Sequence, residues 1–191
     1  MNHDESAAAG RAGSRRREAL FWLAGLTAAG VGIMWVRRLA RARAPAVKRG
    51  ELEPLDLPRS RWRELLSPAA YAVLFEEDTE RPFSSPLNDE KRAGTYLCAA
   101  CFLPLFPSTM KFDSGTGWPS FYDHLPGNLA TQRDLSLLLP RTEYHCARCG
   151  GHQGHVFDDG PKPTGLRYCN NGVALRFVPT GEALPALREK E

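Results

Sequence analysis

The chain has 191 residues, 42% of them hydrophobic and 25% charged, with a net charge of +3. That length suits one domain with an appendage, and the composition excludes a disordered, collagen-like or many-helix membrane protein. The charge is divided, with +7 in residues 1–49 and −4 in residues 50–191; the mildly acidic body lacks the clustered positive surface that nucleic acid requires.

Ala19 to Val36 is an 18-residue stretch without a charge. As a helix it would be about 27 Å long, marginally enough to span a bilayer. Ahead of it, Arg16-Arg17 with Leu20 resembles a bacterial twin-arginine export signal, although Ala19 stands where such signals usually carry an aromatic. Behind it come Arg37, Arg38, Arg41 and Arg43, with Ala42-Arg43-Ala44 and Ala44-Pro45-Ala46 as small-x-small cleavage signals. Both flanks are basic, so the positive-inside rule is undecided. A buried core helix is the alternative, opposed by arginine clusters at both ends that would have to reach water. Residues 1–46 are therefore expected to be an export signal or membrane anchor. The body would lie in the bacterial cell envelope, periplasmic or anchored by residues 19–36, with the cytoplasmic face as the lesser alternative. Residues 47–58, proline-containing and without apolar periodicity, read as a linker.

The body is expected over residues 59–180, with 181–191 as a tail. Ser60 can cap a helix carrying Trp62, Leu65 and Leu66, which share a face. Ser67-Pro68 is a second start signal, followed by Tyr71, Val73, Leu74 and Phe75. Short β-prone runs come next: Thr95 to Leu97, Leu103 to Phe106, Arg141 to His145, Gly165 to Cys169 and Val173 to Val178. Turn clusters such as 113–117 and 158–161 separate them. The predicted class is mostly β (α+β), with short helices at the N-terminal side.

Cys98-x-x-Cys101 and Cys146-x-x-Cys149 form two knuckles, separated by 44 residues. Two such turns can close a tetrahedral Zn²⁺ site. Two disulfides are the alternative, favoured by export, and four thiolates do not exclude iron. A closed four-cysteine site would be structural.

Cys169 stands apart. A lone cysteine is ordinarily a small buried hydrophobe. Its neighbours Arg167 and Asn171 would share its face on a strand. A guanidinium beside a thiol favours the thiolate, and an asparagine amide can donate to charge on a substrate. His152 and His155 are left free for acid–base work if four cysteines fill the metal site. Trp118 sits on a Gly-rich turn, as a core plug or a pocket wall.

Together the runs GTYLCAAC, KFDSGTGWPSF, RTEYHCARCGGHQGHVFDDGPKPTGLRYCNN and VALRF, in that order over about residues 60–178, strongly resemble the B-type methionine sulfoxide reductases. The resemblance implies two antiparallel β-sheets with N-terminal helices and a structural four-cysteine zinc site. It implies reduction of the R epimer of methionine sulfoxide in proteins, with Cys169 as nucleophile and His155 as catalytic histidine. His152, Arg167 and Asn171 would support them, and Trp118 would receive the substrate S-methyl group. Thr116 stands where many relatives have a resolving cysteine, so a sulfenic acid on Cys169 would need an external thiol, with thioredoxin-like proteins the expected donors. Gln153 and Asn170 replace apolar residues of the family pattern, which bears on substrate preference. A non-catalytic zinc-binding module that engages a protein partner would need the knuckles, but not Cys169, His155 and Trp118 together.

Overall fold

The computed structural model describes residues 52–134 and 141–190. Arg16-Arg17, the apolar stretch 19–36 and the cleavage signals lie outside the described residues. No helix among the described residues is long and apolar enough to cross a membrane.

Residues 52–58 are extended and held to the body: Leu55 is in the core and its N–H donates to Arg148 O at 2.8 Å. The second half of the expected linker is thus a packed strap, anchored by one leucine whose burial the prolines around it concealed. Two short helices follow, α1 (Arg59–Leu65) and α2 (Pro68–Glu76). Helix α2 starts as predicted, with Ser67 Oγ accepting from Ala70 N at 3.2 Å and Pro68 in the first turn. Helix α1 is not capped by Ser60: Pro58, extended at φ −62° and ψ 149°, is its N-cap, and Ser60 falls inside the first turn. The fixed φ of proline starts the helix two residues before the serine that the pattern favoured. Trp62 of α1 stacks on Phe75 of α2, with centroids 4.9 Å apart.

Among the described residues, nine strands make two antiparallel sheets. They are β1 (Gly94–Cys98), β2 (Pro104–Pro107), β3 (Lys111–Phe112), β4 (Ser120–Phe121), β5 (Leu129–Asp134), β6 (Arg141–Cys146), β7 (His152–Phe157), β8 (Arg167–Asn170) and β9 (Leu175–Pro179). The smaller sheet has the order β2-β1-β9 and the larger β3-β4-β8-β7-β6-β5. The core lies between them: Phe106 of β2 stacks on Phe121 of β4 at 4.1 Å, and Tyr96 of β1 meets Phe121 edge-on at 5.0 Å. The predicted class, mostly β with two antiparallel sheets and short N-terminal helices, is what the fold shows.

Two predicted strand runs are shorter than expected. The Val173 run begins as a 3-10 turn (Gly172–Ala174), because the N–H groups of Gly172 and Val173 donate to the Glu80 carboxylate and are withdrawn from any ladder. The Gly165 run becomes strand only at Arg167, since Gly165 is left-handed (φ 74°) and Leu166 N donates to Thr164 Oγ1.

Strand β7 carries a bulge. Tyr144 pairs with Gly154 and His145 with His152, so two steps along β7 oppose one step along β6. In a regular strand, residues three apart point to opposite faces. The extra residue brings His152 and His155 together, with ring centroids 5.4 Å apart.

Candidate active site

Cys169 lies on β8, in the interior of the larger sheet. The ladder places it opposite His155 of β7 on one side and opposite Ser120 of β4 on the other. Residues directly opposite in an antiparallel pair have Cβ atoms about 4.5–5.5 Å apart, close enough for their side chains to meet. Gly154, next to His155, lets the strands approach: a Cβ there would lie 1.9 Å from Cys169 O. A cavity of about 120 Å³ opens over this point, lined by Trp118, Arg141, His155, Phe157, Cys169 and Asn171 among others. Four of the six residues singled out from the sequence, Cys169, His155, Trp118 and Asn171, therefore share one cavity.

Trp118 is placed by its indole N–H, which donates to Glu80 O at 3.1 Å. Asn171 is just past β8 rather than on it. Its Oδ1 accepts from Glu80 N at 3.0 Å and its Nδ2 donates to Gln153 O at 3.2 Å, so part of its donor capacity is already engaged. Glu80 thus ties the indole, the asparagine and the 3-10 turn into one frame. Burial pushes the Glu80 carboxyl up, against the lowering influence of the Gly172 and Val173 N–H groups.

Burial raises the Cys169 thiol above its ordinary pKa, and the Arg167 guanidinium and the Thr116 and Ser120 hydroxyls oppose that rise without reversing it. Desolvation dominates, and Arg167 is also engaged elsewhere: its Nε and NH2 donate to Asp159 at 2.7 and 2.9 Å, and its guanidinium lies 4.2 Å from the Phe157 ring centroid. The hydroxyls beside the thiol form a cluster, in which Ser114 Oγ is 2.8 Å from both Thr116 Oγ1 and Ser120 Oγ.

His155 Nε2 lies 2.8 Å from Asp134 Oδ2, which also accepts from Arg141 at 2.7 Å. Burial lowers the His155 pKa, and the Asp134 hydrogen bond only partly restores it. The ring is therefore neutral near pH 7, with a carboxylate beside it to stabilise an imidazolium formed in passing. His152 is buried in a neighbouring polar cavity with Glu143 and His145, away from the Cys169 cavity. Its Nδ1 is 2.5 Å from Glu143 Oε1. Burial pushes Glu143 up, but hydrogen bonds from Gln132 and His152 outweigh it and hold the carboxyl below its usual range. His152 touches His155 but does not line the cavity over Cys169.

The sequence reading missed Asp134, Glu80, Ser120 and Asp159. A carboxylate partner for each buried cation or imidazole could have been anticipated in kind, but only strand register tells which one.

The four knuckle cysteines converge elsewhere. Cys98 ends β1 in the smaller sheet and Cys146 ends β6 in the larger, so the two pairs join the sheets. All four Sγ atoms lie within 4.8 Å of one another, with Cys98–Cys149 at 3.6 Å and Cys101–Cys146 at 3.4 Å. These separations are far longer than a disulfide at about 2.05 Å. They are near the edge, about 3.8 Å, of a tetrahedron with metal–sulfur arms of about 2.3 Å. All five cysteines are free, so the two-disulfide alternative is not the arrangement adopted. Burial pushes the Cys98 and Cys146 thiols well up, while hydrogen bonds from its three neighbours hold Cys101 far down. A buried cluster of this kind accommodates four thiolates only around a cation. The site fits a metal ion.

The two knuckles share a backbone plan. Phe102 N donates to Cys98 O and Gly150 N to Cys146 O, each at 2.9 Å, and both residues are left-handed at φ 63° and 68°. Glycine adopts that conformation freely and phenylalanine does not. The Phe102 ring is flanked by the guanidinium groups of Arg176 and Arg188, 5.2 and 4.8 Å from its centroid. Arg188 belongs to the expected tail, which is docked here: its Nε donates to Ala100 O at 2.7 Å and its N to Cys101 O at 3.1 Å.

The SelR domain family matches residues 66–179, which contain every residue of both cysteine centres. A peptide methionine sulfoxide reductase MsrB of Pseudomonas putida is 52% identical over 129 residues, 67% of this chain and 97% of the relative. Proteins of that name from Agrobacterium fabrum and Bradyrhizobium diazoefficiens are 53% and 56% identical, each over 62% of this chain and 88% and 86% of the relative. The chain belongs to the SelR domain family, the family of the MsrB-type methionine sulfoxide reductases.

Proposed function

We propose that this protein reduces the R epimer of methionine sulfoxide in oxidised proteins to methionine. The observation that carries the reading is the pairing of Cys169 with His155 across β8 and β7, under one cavity walled by Trp118. The pKa directions suggest the order of events. Cys169 rests as a thiol and His155 as a neutral imidazole. His155 takes the thiol proton, with Asp134 stabilising the imidazolium and Arg167 the thiolate. Cys169 sulfur attacks the sulfoxide sulfur, and His155 returns the proton to the departing oxygen. The attack forms an S–S bond; the protonated oxygen then leaves the substrate sulfur and bonds to Cys169 sulfur as hydroxide, while the S–S bond breaks and its electron pair returns to the methionine sulfur. The products are methionine and a sulfenic acid on Cys169. The Trp118 face receives the S-methyl group and so selects one epimer. Asn171 frames the cavity, and His152, fixed by Glu143, buttresses the His155 ring.

Recycling needs an external dithiol, such as a thioredoxin-like protein. One of its thiols displaces water from the sulfenic acid and its second thiol frees Cys169, leaving the donor as the disulfide. Thr116 beside Cys169 supports this, because a threonine cannot form the internal disulfide. Cys98, Cys101, Cys146 and Cys149 would hold structural Zn²⁺, whose four-thiolate shell leaves no position for substrate. The N-terminal segment, with Arg16-Arg17 before residues 19–36, supports export to or anchoring in the cell envelope.

The test is consumption of separated R and S sulfoxides of one peptide with a dithiol reductant. Loss of the R form alone is expected. Reduction of the S form, or of neither, refutes the assignment.

A further inference from the structure

Two amide side chains occupy the middle of the larger sheet. Gln153 is the extra residue of the β7 bulge and Asn170 follows Cys169; neither is exposed to solvent. Gln153 Nε2 donates to Cys98 Sγ at 3.5 Å, and its Oε1 accepts from Asn170 Nδ2 at 3.4 Å. Asn170 Nδ2 also donates to Asn171 O, and its Oδ1 accepts from the Tyr144 hydroxyl, both at 2.8 Å. The Asn170 backbone N donates to Pro119 O at 2.9 Å, next to Trp118. A hydrogen-bonded chain therefore runs from a knuckle sulfur to the residues on the far side of Cys169. An unpartnered buried amide is costly, whereas an apolar pair of similar shape packs as well without the requirement. One hydrogen bond joins the two amides, and Cys98, Tyr144 and Asn171 engage the rest of their polar atoms.

We propose that Gln153 and Asn170 are positioning residues that couple the four-cysteine metal site to the geometry around Cys169. A metal-bound thiolate is a fixed anionic acceptor, and hydrogen bonds to such acceptors are the strong ones. A carboxamide is planar, so holding its N–H end at Cys98 aims its Oε1 at Asn170. Asn170 in turn fixes the strand position beside the nucleophile and, through Pro119, the turn that carries Trp118. A disturbance at either cysteine centre is passed to the other along this path. Coupling of this kind belongs to the outer shell of a metal site, where hydrogen-bonded partners set the orientation of the ligands.

The experiment loads the protein with Co²⁺ and follows the ligand-field and thiolate-to-cobalt absorption bands. Alkylation of Cys169 by iodoacetamide, confirmed by peptide mass spectrometry, should shift those bands in the unsubstituted protein. The shift should vanish in Gln153→Leu and in Asn170→Leu. Asn170→Leu is the sharper of the two, because residue 170 does not touch the metal site. Gln153→Leu should also release Co²⁺ to a chelator about tenfold faster, while Asn170→Leu stays near the unsubstituted rate. The double leucine variant replaces both amides by apolar packing and keeps the test usable if either single variant unfolds. A band shift that persists in the double variant overturns the proposal, and so does an unsubstituted protein whose bands ignore alkylation.

Discussion

The four knuckle cysteines and Cys169 belong to one small domain, and the fold treats them in opposite ways. The knuckle thiols sit at strand ends and in tight turns, held by backbone hydrogen bonds and lying 3.4–3.6 Å from one another across the two pairs. Cys169 sits within a sheet, half-buried, with a histidine on one neighbouring strand and a serine on the other. Crowding makes the first group a ligand set, because the charge of its thiolates can be balanced only by a cation in their midst. Burial keeps Cys169 a neutral thiol, set opposite His155 across the strand pair. On the proposed mechanism, the same side chain becomes scaffold or reagent according to what the register sets beside it.

Exchanging one cysteine in each centre should separate the two roles most sharply. Cys146→Ser should lose the bound metal and a large part of a folding free energy that totals only about 5–15 kcal/mol for such domains. Cys169→Ser should keep metal and melting temperature and lose turnover. Metal analysis, thermal melting and peptide sulfoxide reduction on the pair decide it. A metal-replete, fully stable Cys146→Ser variant would break the division.

How far this division could be read from the sequence differs between the centres. The knuckles were legible, since Cys-x-x-Cys is a local pattern and Gly150 marks its left-handed exit. Phe102 in the equivalent position of the first knuckle gives no such mark, because two distant arginines cover its ring. At the second centre the residue types and the motif order pointed to Cys169, His155 and Trp118. Their electrostatics were not legible. Arg167 is two residues from Cys169 in sequence, but whether it prevails over burial depends on Asp159 and on the depth of the strand. Strand β7 went unread because a glycine, two histidines and a bulge hide its alternation, yet that bulge brings the histidines together. Likewise Gln153 and Asn170, set apart one by one as departures from the family pattern, are partners in space, and Asn170 also lines the Cys169 cavity.

The next largest effect concerns the lifetime of the oxidised cysteine. The Thr116 hydroxyl is within hydrogen-bonding reach of the Cys169 thiol. Thr116→Cys should therefore form a disulfide with Cys169 after one turnover, abolishing labelling by a dimedone-type probe. The unsubstituted protein should accumulate the labelled sulfenic acid when no reducing thiol is present. A disulfide from Cys169 to any of Cys98, Cys101, Cys146 or Cys149, with metal released, would merge the two centres that the fold keeps apart.

The pH dependence follows from the sign of two shifts. Burial lowers the His155 pKa and raises that of Cys169. The productive form carries one proton between them. It is lost on acidification when His155 takes a second proton, and at alkaline pH when the shared proton leaves. The acid limb of kcat/KM should therefore fall below the ordinary histidine value of about 6.5, and the alkaline limb above the ordinary thiol value of about 8.5. In Asp134→Asn the imidazolium loses its carboxylate, so the acid limb should move lower still. An acid limb that moves up in that variant would mean that His155 does not carry the proton.

The smallest effects form a graded series around Cys169. Three groups oppose the burial that keeps the thiol protonated, and they differ in strength: the Arg167 charge first, then the Thr116 hydroxyl, then the Ser120 hydroxyl. Removing each should lower the thiolate fraction in that order. Hydrogen bonds to charged groups contribute about 1.5–3 kcal/mol, so Arg167→Met should slow alkylation of Cys169 at neutral pH by roughly tenfold or more. Thr116→Val should slow it less. Ser120→Ala should be nearly silent, since Ser120 Oγ also bonds to Ser114 Oγ at 2.8 Å and to Trp118 O at 3.1 Å. The rates are read at residue 169 by mass spectrometry, with the knuckle cysteines protected by bound metal. The reverse order, with Ser120→Ala the most damaging, would place the hydroxyl cluster rather than the guanidinium in charge of the nucleophile. Arg167 would then serve mainly to hold Asp159 and the Phe157 ring at the end of β7.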